Sequence, residues 1–560
     1  MKDIIRDSPV GQLINCLSGG YYLPYSDQRS DYIIPADFLL PASTSKINVA
    51  SIDVRQDVVH QESCLSTTTL PYINGGDHDR DKDDVAVRAL VFDSHLVGWN
   101  GDDDPENPRN WSFRKRAFTT FSICFLTFSV YIGSAIYTPA IPGLMEEFGV
   151  SLTQSTLGLT LYIFAYGVGS MFLAPLQELP ILGRNPVYMA TLFTFVLLQL
   201  PIVVTKNFGT ILAFRFLTGF FGSPALATGG ASMGDIWPTD QMPYAVWVWG
   251  IGPNAGPIIG PTIAGFPAQV NGWKWPIYEL IWISGSALIF LNLLLPETYE
   301  PTILLRRAAR LRKLTGNPHL RSQSEIDAAA IKSSDRLYEA LVRPFTLAVE
   351  PVLLFANVYL AFVYAVFYLW FEAFPVVFVD IYHFELGLTG LPFLGFLVTG
   401  TFTFAVYCFY LNHHIRPRKT KAGGNLAPEV RLEIGLIASI FIPTSLLIFG
   451  FTSKASIHWI FPVIGAALYV PGVYLAFQSI LMYITMAYPT HAASVLAGNS
   501  FFRSAIASVF PLFGRAFFEN VGLGPGSALL AGISIMLSAV FFLLYKYGHV
   551  LRARSRFAVS

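Results

Sequence analysis

Apolar residues run along this chain in long blocks, not at the three-to-four spacing of a half-buried helix or the alternation of a surface strand. A helix needs about 20 mainly apolar residues to cross a bilayer. Blocks of that kind are predicted near 117–139, 154–176, 186–205, 209–232, 243–266 and 275–295. A polar stretch of about 50 residues follows, longer than an ordinary connection. Six further blocks lie near 350–373, 386–411, 431–451, 457–484, 493–514 and 524–546. The pattern predicts an all-α integral membrane protein of twelve transmembrane helices in two six-helix halves. Composition agrees: of 560 residues 53% are hydrophobic and 13% charged, against about 25% charged in soluble domains.

Basic residues orient the helices. Arg114–Arg116 precede the first block. The central loop carries Leu304–Lys313 (LLRRAARLRK), Arg321, Lys332, Arg336 and Arg343. His413–Lys421 (HHIRPRKTK) follows the eighth block and Leu551–Arg556 (LRARSR) the last. Twelve spans put all four groups on one side, leaving Lys206, Lys274 and Lys454 on the other. Cytosolic faces of membrane proteins are enriched in Lys and Arg, so both termini are expected in the cytosol. The expected layout is a largely disordered cytosolic tail (1–116), a first half (117–295), a cytosolic central loop (296–349), a second half (350–546) and a cytosolic C-terminal tail (547–560). The first segment is polar, with Asp77–Asp84 (DHDRDKDD) and Gly101–Asn110 (GDDDPENPRN), and opens without the apolar core of a signal peptide. It reads as a dispensable leader without chemistry.

Two six-helix halves joined by a long loop is the layout of a carrier built from parallel repeats, with substrate bound between the halves near the midplane. Other classes fit less well. The formal net charge of zero gives no case for nucleic acid. Cys16, Cys64, Cys124 and Cys408 are scattered, so neither a disulfide scaffold nor a metal site is expected. There is no HExxH or Walker loop. No enzymatic activity and no cofactor are expected, and transport must run on an ion or substrate gradient.

The fifth block, Trp249–Phe266 (WGIGPNAGPIIGPTIAGF), places Gly252, Gly256 and Gly260 four residues apart, each followed by Pro253, Pro257 or Pro261. Residues four apart share a helix face, and small-xxx-small strips let helix backbones approach closely. The strip is expected to pack against a helix of the other half and to bend at the prolines, closing the cytosolic side.

These segments together resemble the fungal drug:proton antiporters of the major facilitator superfamily, the twelve-spanner branch. The resemblance runs from about Val97 to the last span. It is carried by Asp103–Ser112 (DDPENPRNWS), Leu173–Met189 (LAPLQELPILGRNPVYM), Arg215–Asp235 (RFLTGFFGSPALATGGASMGD), the fifth-block strip, Trp370–Phe378 (WFEAFPVVF) and Ser494–Gly514 (SVLAGNSFFRSAIASVFPLFG). Departures are Glu178 where the loop motif has Asp, Asn185 where a second Arg is common, Trp247 where the fifth-span motif opens with Gly, and Ala264 in place of a late glycine.

The resemblance implies roles. Glu178, Gly183, Arg184 and Asp235 would form a cytosolic gate, with Gly183 allowing a tight turn. Arg215, charged inside the fourth span, would take part in proton coupling or else snorkel to the interface. A carboxylate would partner it, either Glu279 or Glu372, unless these are wet interface residues. Arg503 would bind an anionic group or lock helices together. An aromatic cavity would draw on Tyr131, Tyr162, Tyr166, Trp249, Tyr368, Trp370, Tyr474 and Phe502, with Gln478 and Asn499 as polar partners.

The expected function is proton-coupled efflux of small, largely apolar organic compounds, such as drugs, fungicides or a fungal secondary metabolite. The alternatives are a carrier of a polar metabolite or organic acid, and a non-transporting membrane sensor. Expected partners are the small-molecule substrate, protons and the lipid bilayer. A monomer is expected in the plasma membrane, with the vacuolar membrane as the alternative.

Overall fold

The computed structural model describes residues 2–29, 32, 34, 38, 95–330, 342–423, 426–488, 492–555 and 557. Its elements are helical throughout, apart from one isolated bridge between Leu96 and Arg321. Eleven helices among the described residues are long and apolar enough to cross a membrane. Their outward residues are large and apolar, such as Val398, Phe402 and Ile440, each about two-thirds exposed or more. On a soluble protein so many exposed apolar side chains would aggregate. Here they meet lipid.

In chain order the long helices begin with Phe113–Ala135, Leu152–Leu176 and Arg184–Val204. The fourth is broken into Phe208–Gly222, Pro224–Ala227 and Gly229–Ile236. Met242–Asn271 and Trp275–Leu294 complete the first half. The second half holds Pro351–Phe374, Leu394–Tyr410, Glu433–Thr452, Ile460–Ala467 continuing as Tyr469–Ala487, Ala492–Val521 and Leu523–Arg554. They are called the first to twelfth helix below. The fifth, Met242–Asn271, is not among the eleven because its glycines and prolines dilute its hydropathy. At 30 residues it is about 45 Å long.

Local chemistry sets the helix starts. The Ser112 hydroxyl accepts from the Lys115 amide at the first helix. Ser151 and Gln154 form a reciprocal capping box at the second, and Asn207 accepts from the Gly209 amide at the fourth. The seventh helix continues past Phe374 as a π-helical segment, Pro375–Ile381.

The N-terminal segment departs from the expected disordered leader. Its stretch 39–94, including Cys64 and Asp77–Asp84, lies outside the described residues, as do Lys332, Arg336 and Arg556. The described ends are folded. Short helices Lys2–Asp7 and Pro9–Leu17 lie against the linker helix Glu300–Thr315 and the base of the first half. Arg307 pairs with Asp104 at 2.6 Å, both fully buried. Arg310 pairs with Asp27 at 2.8 Å and with Glu106 at 3.0 Å. Lys115 reaches Asp7 at 2.8 Å, and Arg306 donates to Gln12. Composition could not reveal this, because each acid meets a base far away in sequence.

Candidate functional site

The fifth-helix strip makes a close helix crossing, but not the expected one. A Cβ on Gly252 would fall 2.6 Å from the Cys124 carbonyl oxygen. On Gly256 it would fall 2.7 Å from the Ile132 amide nitrogen, and on Gly260 2.9 Å from that of Ile136. Cys124 and Ile132 belong to the first helix and Ile136 directly follows it. The glycines therefore press the fifth helix onto the first helix of the same half, not onto the other half. Pro253, Pro257 and Pro261 are also buried, and the helix runs through all three without a break.

Contact with the second half comes from other faces of the fifth helix. At its start, nearest the linker, Trp247 stacks on Tyr407 with centroids 4.6 Å apart and on Tyr474 at 5.1 Å. At its far end the Thr262 hydroxyl donates to the Gly390 carbonyl at 2.7 Å, and Gln269 bonds both Glu385 and the Gly387 amide. The strip and the seam are separate surfaces of one helix. Periodicity identified the strip, and only the fold could show which neighbour fills it.

Midway along the seam the first and seventh helices meet through hydroxyls. Tyr131 bonds Tyr364 across the two halves. Tyr364 lies 3.5 Å from the Tyr368 hydroxyl, which donates to Ser134 at 3.4 Å. Tyr166 packs edge-on against Tyr131 at 5.1 Å. The Arg503 guanidinium, on the eleventh helix, sits over the rings of Tyr364 at 4.8 Å and Phe477 at 5.2 Å. Asn499, one turn away, donates to Asn357 at 2.9 Å.

Of the aromatic candidates, Tyr131, Tyr166 and Tyr368 gather here with Arg503. Trp249 packs beside them and donates its indole N–H to Thr127 at 3.1 Å. Tyr474 belongs to the Trp247 stack. Gln478 has its Nε2 buried and unbonded, beside Phe477 in sequence. Trp370 does not reach the seam. It packs on Phe449 at 4.6 Å in the core of the second half, beside a small apolar crevice. Phe502 lies against Phe345 at 6.3 Å, near the linker. Sequence reading missed Tyr364 and Ser134, although Tyr364 precedes Tyr368 by one helical turn, which places both on one face.

Arg215 is almost wholly buried and does not snorkel. Nε donates to the Gly158 carbonyl at 3.0 Å and Nη1 to Gly133 at 2.8 Å, with Nη2 3.5 Å from Ser134. Tyr137 and Tyr162 lie over the guanidinium at 4.6 and 4.5 Å. The expected carboxylate partner is absent among the described residues. Backbone oxygens of the first two helices and two ring faces take its place. Tyr162 is thus part of the Arg215 cradle, and its own hydroxyl donates to Val130 at 2.7 Å. Glu279 sits half-buried on the sixth helix with one carboxylate oxygen unbonded. Glu372 is buried on the seventh helix against Gly514. Neither touches Arg215.

At the linker end, Arg184 meets Asp235 through two nitrogens, at 2.5 and 3.3 Å. Gly183 has φ +76°, and a Cβ there would fall 2.7 Å from both Glu297 and Thr302. The turn thus requires glycine for conformation and for space. The Glu178 side chain is exposed and makes no ion pair, while its backbone carbonyl accepts from Tyr299 at 3.1 Å. Glu297, missed in the sequence, is central. Its carboxylate accepts from the amides of Arg184 and Asn185, each at 3.2 Å, and so caps the third helix. The only signal was an acid immediately after an apolar block, which reads as a loop residue. The cluster ties the ends of the third, fourth and sixth helices together, all within the first half.

The geometry is that of two helical halves meeting at a polar, aromatic seam. The Major Facilitator Superfamily profile matches residues 123–511. "Transporter mfs1" of Schizosaccharomyces pombe is 42% identical over 83% of this chain and 88% of that protein. The "Cycloheximide resistance protein" of Candida maltosa is 37% identical over the whole of both chains. Among solved structures, a peptide transporter, POT, superposes with a TM-score of 0.55 over 80% of this chain and 98% of its own, at 13% identity, a likeness of fold alone. The chain is thus a membrane transporter, not an enzyme, and belongs to the fungal drug:proton antiporter branch of the Major Facilitator Superfamily.

Proposed function

We propose that this chain is a proton-coupled exporter of small, largely apolar organic compounds. It would act from the plasma membrane as a monomer, with twelve spans and both termini in the cytosol. One observation carries the reading. The two halves meet midway through a chain of tyrosine and serine hydroxyls walled by aromatic rings, with buried Arg503 over one of them. Such a surface suits apolar ligands with a few polar groups, and parallel-repeat carriers bind substrate there. The resistance protein similar over its full length supports a toxic organic substrate.

The bilayer would enclose residues 117–295 and 350–546, with the linker and both tails facing the cytosol. In the proposed cycle a proton entering from outside neutralises a carboxylate, substrate leaves outward, and the empty carrier returns with the proton and releases it to the cytosol. Glu372 is the better-buried of the two candidate carriers, with Glu279 the second. Arg215 would act by holding the first, second and fourth helices in register. The Arg184–Asp235–Glu297 cluster would make the cytosolic end of the first half move as one piece.

The test is efflux from proteoliposomes under an imposed pH gradient, with a panel of apolar cytotoxic compounds. Wild type would run beside Arg215→Ala and Glu372→Gln. Gradient-driven export, lost in Glu372→Gln, is expected. Transport indifferent to the gradient would overturn proton coupling and leave a facilitator.

A further inference from the structure

Arg215 and Arg503 are both buried within the helical bundle, and the protein treats them differently. Arg215 has a hydrogen-bond acceptor for each of its three nitrogens and the rings of Tyr137 and Tyr162 against its guanidinium. Arg503 is nine-tenths buried, yet its Nε is enclosed without a hydrogen-bond partner and the side chain makes no ion pair among the described residues. The ring faces of Tyr364 and Phe477 lie against it. A guanidinium carries five N–H donors and keeps its charge in proteins. Burying it with a donor unused is costly. A merely structural arginine would sit as Arg215 does.

Its surroundings indicate what it is built to hold. Arg503 lies at the seam between the halves, where parallel-repeat carriers bind their cargo. The groups around it are the hydroxyls of Tyr131, Tyr364 and Tyr368, hydrogen-bonded in a chain that ends on Ser134. No carboxylate makes an ion pair with Arg503 among the described residues, so the local charge is positive and uncompensated. Hydroxyls donate as readily as they accept, and can turn their protons toward an added oxygen. The flanking rings and Leu226 supply an apolar wall.

We infer that Arg503 and the Tyr131–Tyr364–Tyr368 hydroxyls form an anion subsite, so that favoured substrates are amphipathic organic acids: an apolar body bearing one carboxylate or similarly charged oxygen. A planar guanidinium matches such a group with two parallel hydrogen bonds. The inference rests on the export reading above and narrows it to one chemical class.

The experiment is equilibrium binding to the full-length protein in nanodiscs, with 1-pyrenebutyrate and its uncharged methyl ester as a matched fluorescent pair. Wild type is expected to bind the acid at least about tenfold more tightly than the ester. Arg503→Gln should abolish that preference by weakening the acid alone, Arg503→Lys should keep part of it, and Tyr364→Phe should reduce it. Equal binding of acid and ester by wild type would overturn the subsite, as would an unchanged ratio in Arg503→Gln. If Arg503→Gln does not fold, the Arg503→Lys and Tyr364→Phe ratios decide, and wild-type values in both would overturn it. Binding needs no gradient, so the two readings fail separately. Proton-driven export of neutral compounds with no acid preference would remove only the subsite. An Arg503-dependent acid preference without gradient-driven flux would remove only the export mechanism.

Discussion

Trp247 and Tyr407 stack across the seam between the halves with ring centroids 4.6 Å apart and planes 22° from parallel. Trp247 stands where the related fifth-span motif opens with glycine. The indole also stacks on Phe404 at 5.9 Å and Tyr474 at 5.1 Å, so one side chain meets three rings of the second half. Aromatic pairs contribute about 0.5–1.5 kcal/mol each beyond their buried area. Trp247→Ala is expected to loosen this end of the seam and leave the far end, held by Thr262 and Gln269, in place. Spin labels at the exposed positions Gln241 and Lys421 would report it as a broader, longer distance distribution. An unchanged distribution would mean the stack does not hold the halves.

The strip glycines make a sharper prediction. Gly256→Ala places a methyl 2.7 Å from a backbone nitrogen that cannot swing aside, so the first and fifth helices must separate. Overpacking of this kind costs about 1–3 kcal/mol. Gly250→Ala, on the same helix with nothing within 4 Å of its new methyl, should be neutral or slightly stabilising. Thermal unfolding of the two purified variants compares them directly, and equal melting temperatures would refute the crossing.

Arg215→Lys tests the cradle. Lysine keeps the charge but is a compact ammonium, unable to span the Gly158, Gly133 and Ser134 carbonyls as the planar guanidinium does. A loss of about 2–4 kcal/mol is expected, between a lost hydrogen bond to a charged group and a broken buried charge network. Both transport and folded yield should fall. A variant with wild-type melting temperature but no proton coupling would place the role of Arg215 in the chemistry instead of the scaffold.

The long helices were legible in the sequence because a bilayer demands length and apolarity from each span locally. The predicted blocks and observed helices agree closely, as at Trp275–Leu294 against 275–295. The fifth, marked by its glycine strip, was recognised by pattern even though its hydropathy is diluted. What each helix faces was not legible. Gly252, Gly256 and Gly260 declare a close approach, yet nothing in their spacing says that Cys124 and Ile132 are the neighbours. The same holds for charge. Arg215 was visible as a buried cation, but backbone carbonyls leave no mark in a sequence, so the search for its partner settled on carboxylates. Glu297 escaped for the opposite reason: its partners are backbone amides at a helix start 112 residues earlier in the chain.

The N-terminal segment offers the last prediction, through Asp104 and Arg307. Burial pushes the Asp104 carboxyl up. The hydrogen bonds from Arg307 and from the amides of Asn100 and Glu106 outweigh that and hold it below its ordinary value. A carboxyl depressed in the folded state stabilises fully above its unfolded pKa of about 3.9 and loses that contribution as pH falls through the folded value. Asp27 works in the opposite sense, since burial leaves it raised despite Arg310. The difference between wild type and Asp104→Asn therefore isolates the Asp104 share. At neutral pH the variant leaves Arg307 buried without its counter-charge, a cost of about 3–5 kcal/mol. Amide hydrogen exchange across the linker helix Glu300–Thr315 should then rise steeply, and the gap from wild type should close as the pH drops below about 4. The double variant Asp104→Leu with Arg307→Met should recover most of the protection, because replacing both members of a buried pair by apolar groups is far milder than removing one. If Asp104→Asn leaves exchange in the linker unchanged at neutral pH, the N-terminal segment does not fasten it, and the reading as a dispensable leader stands.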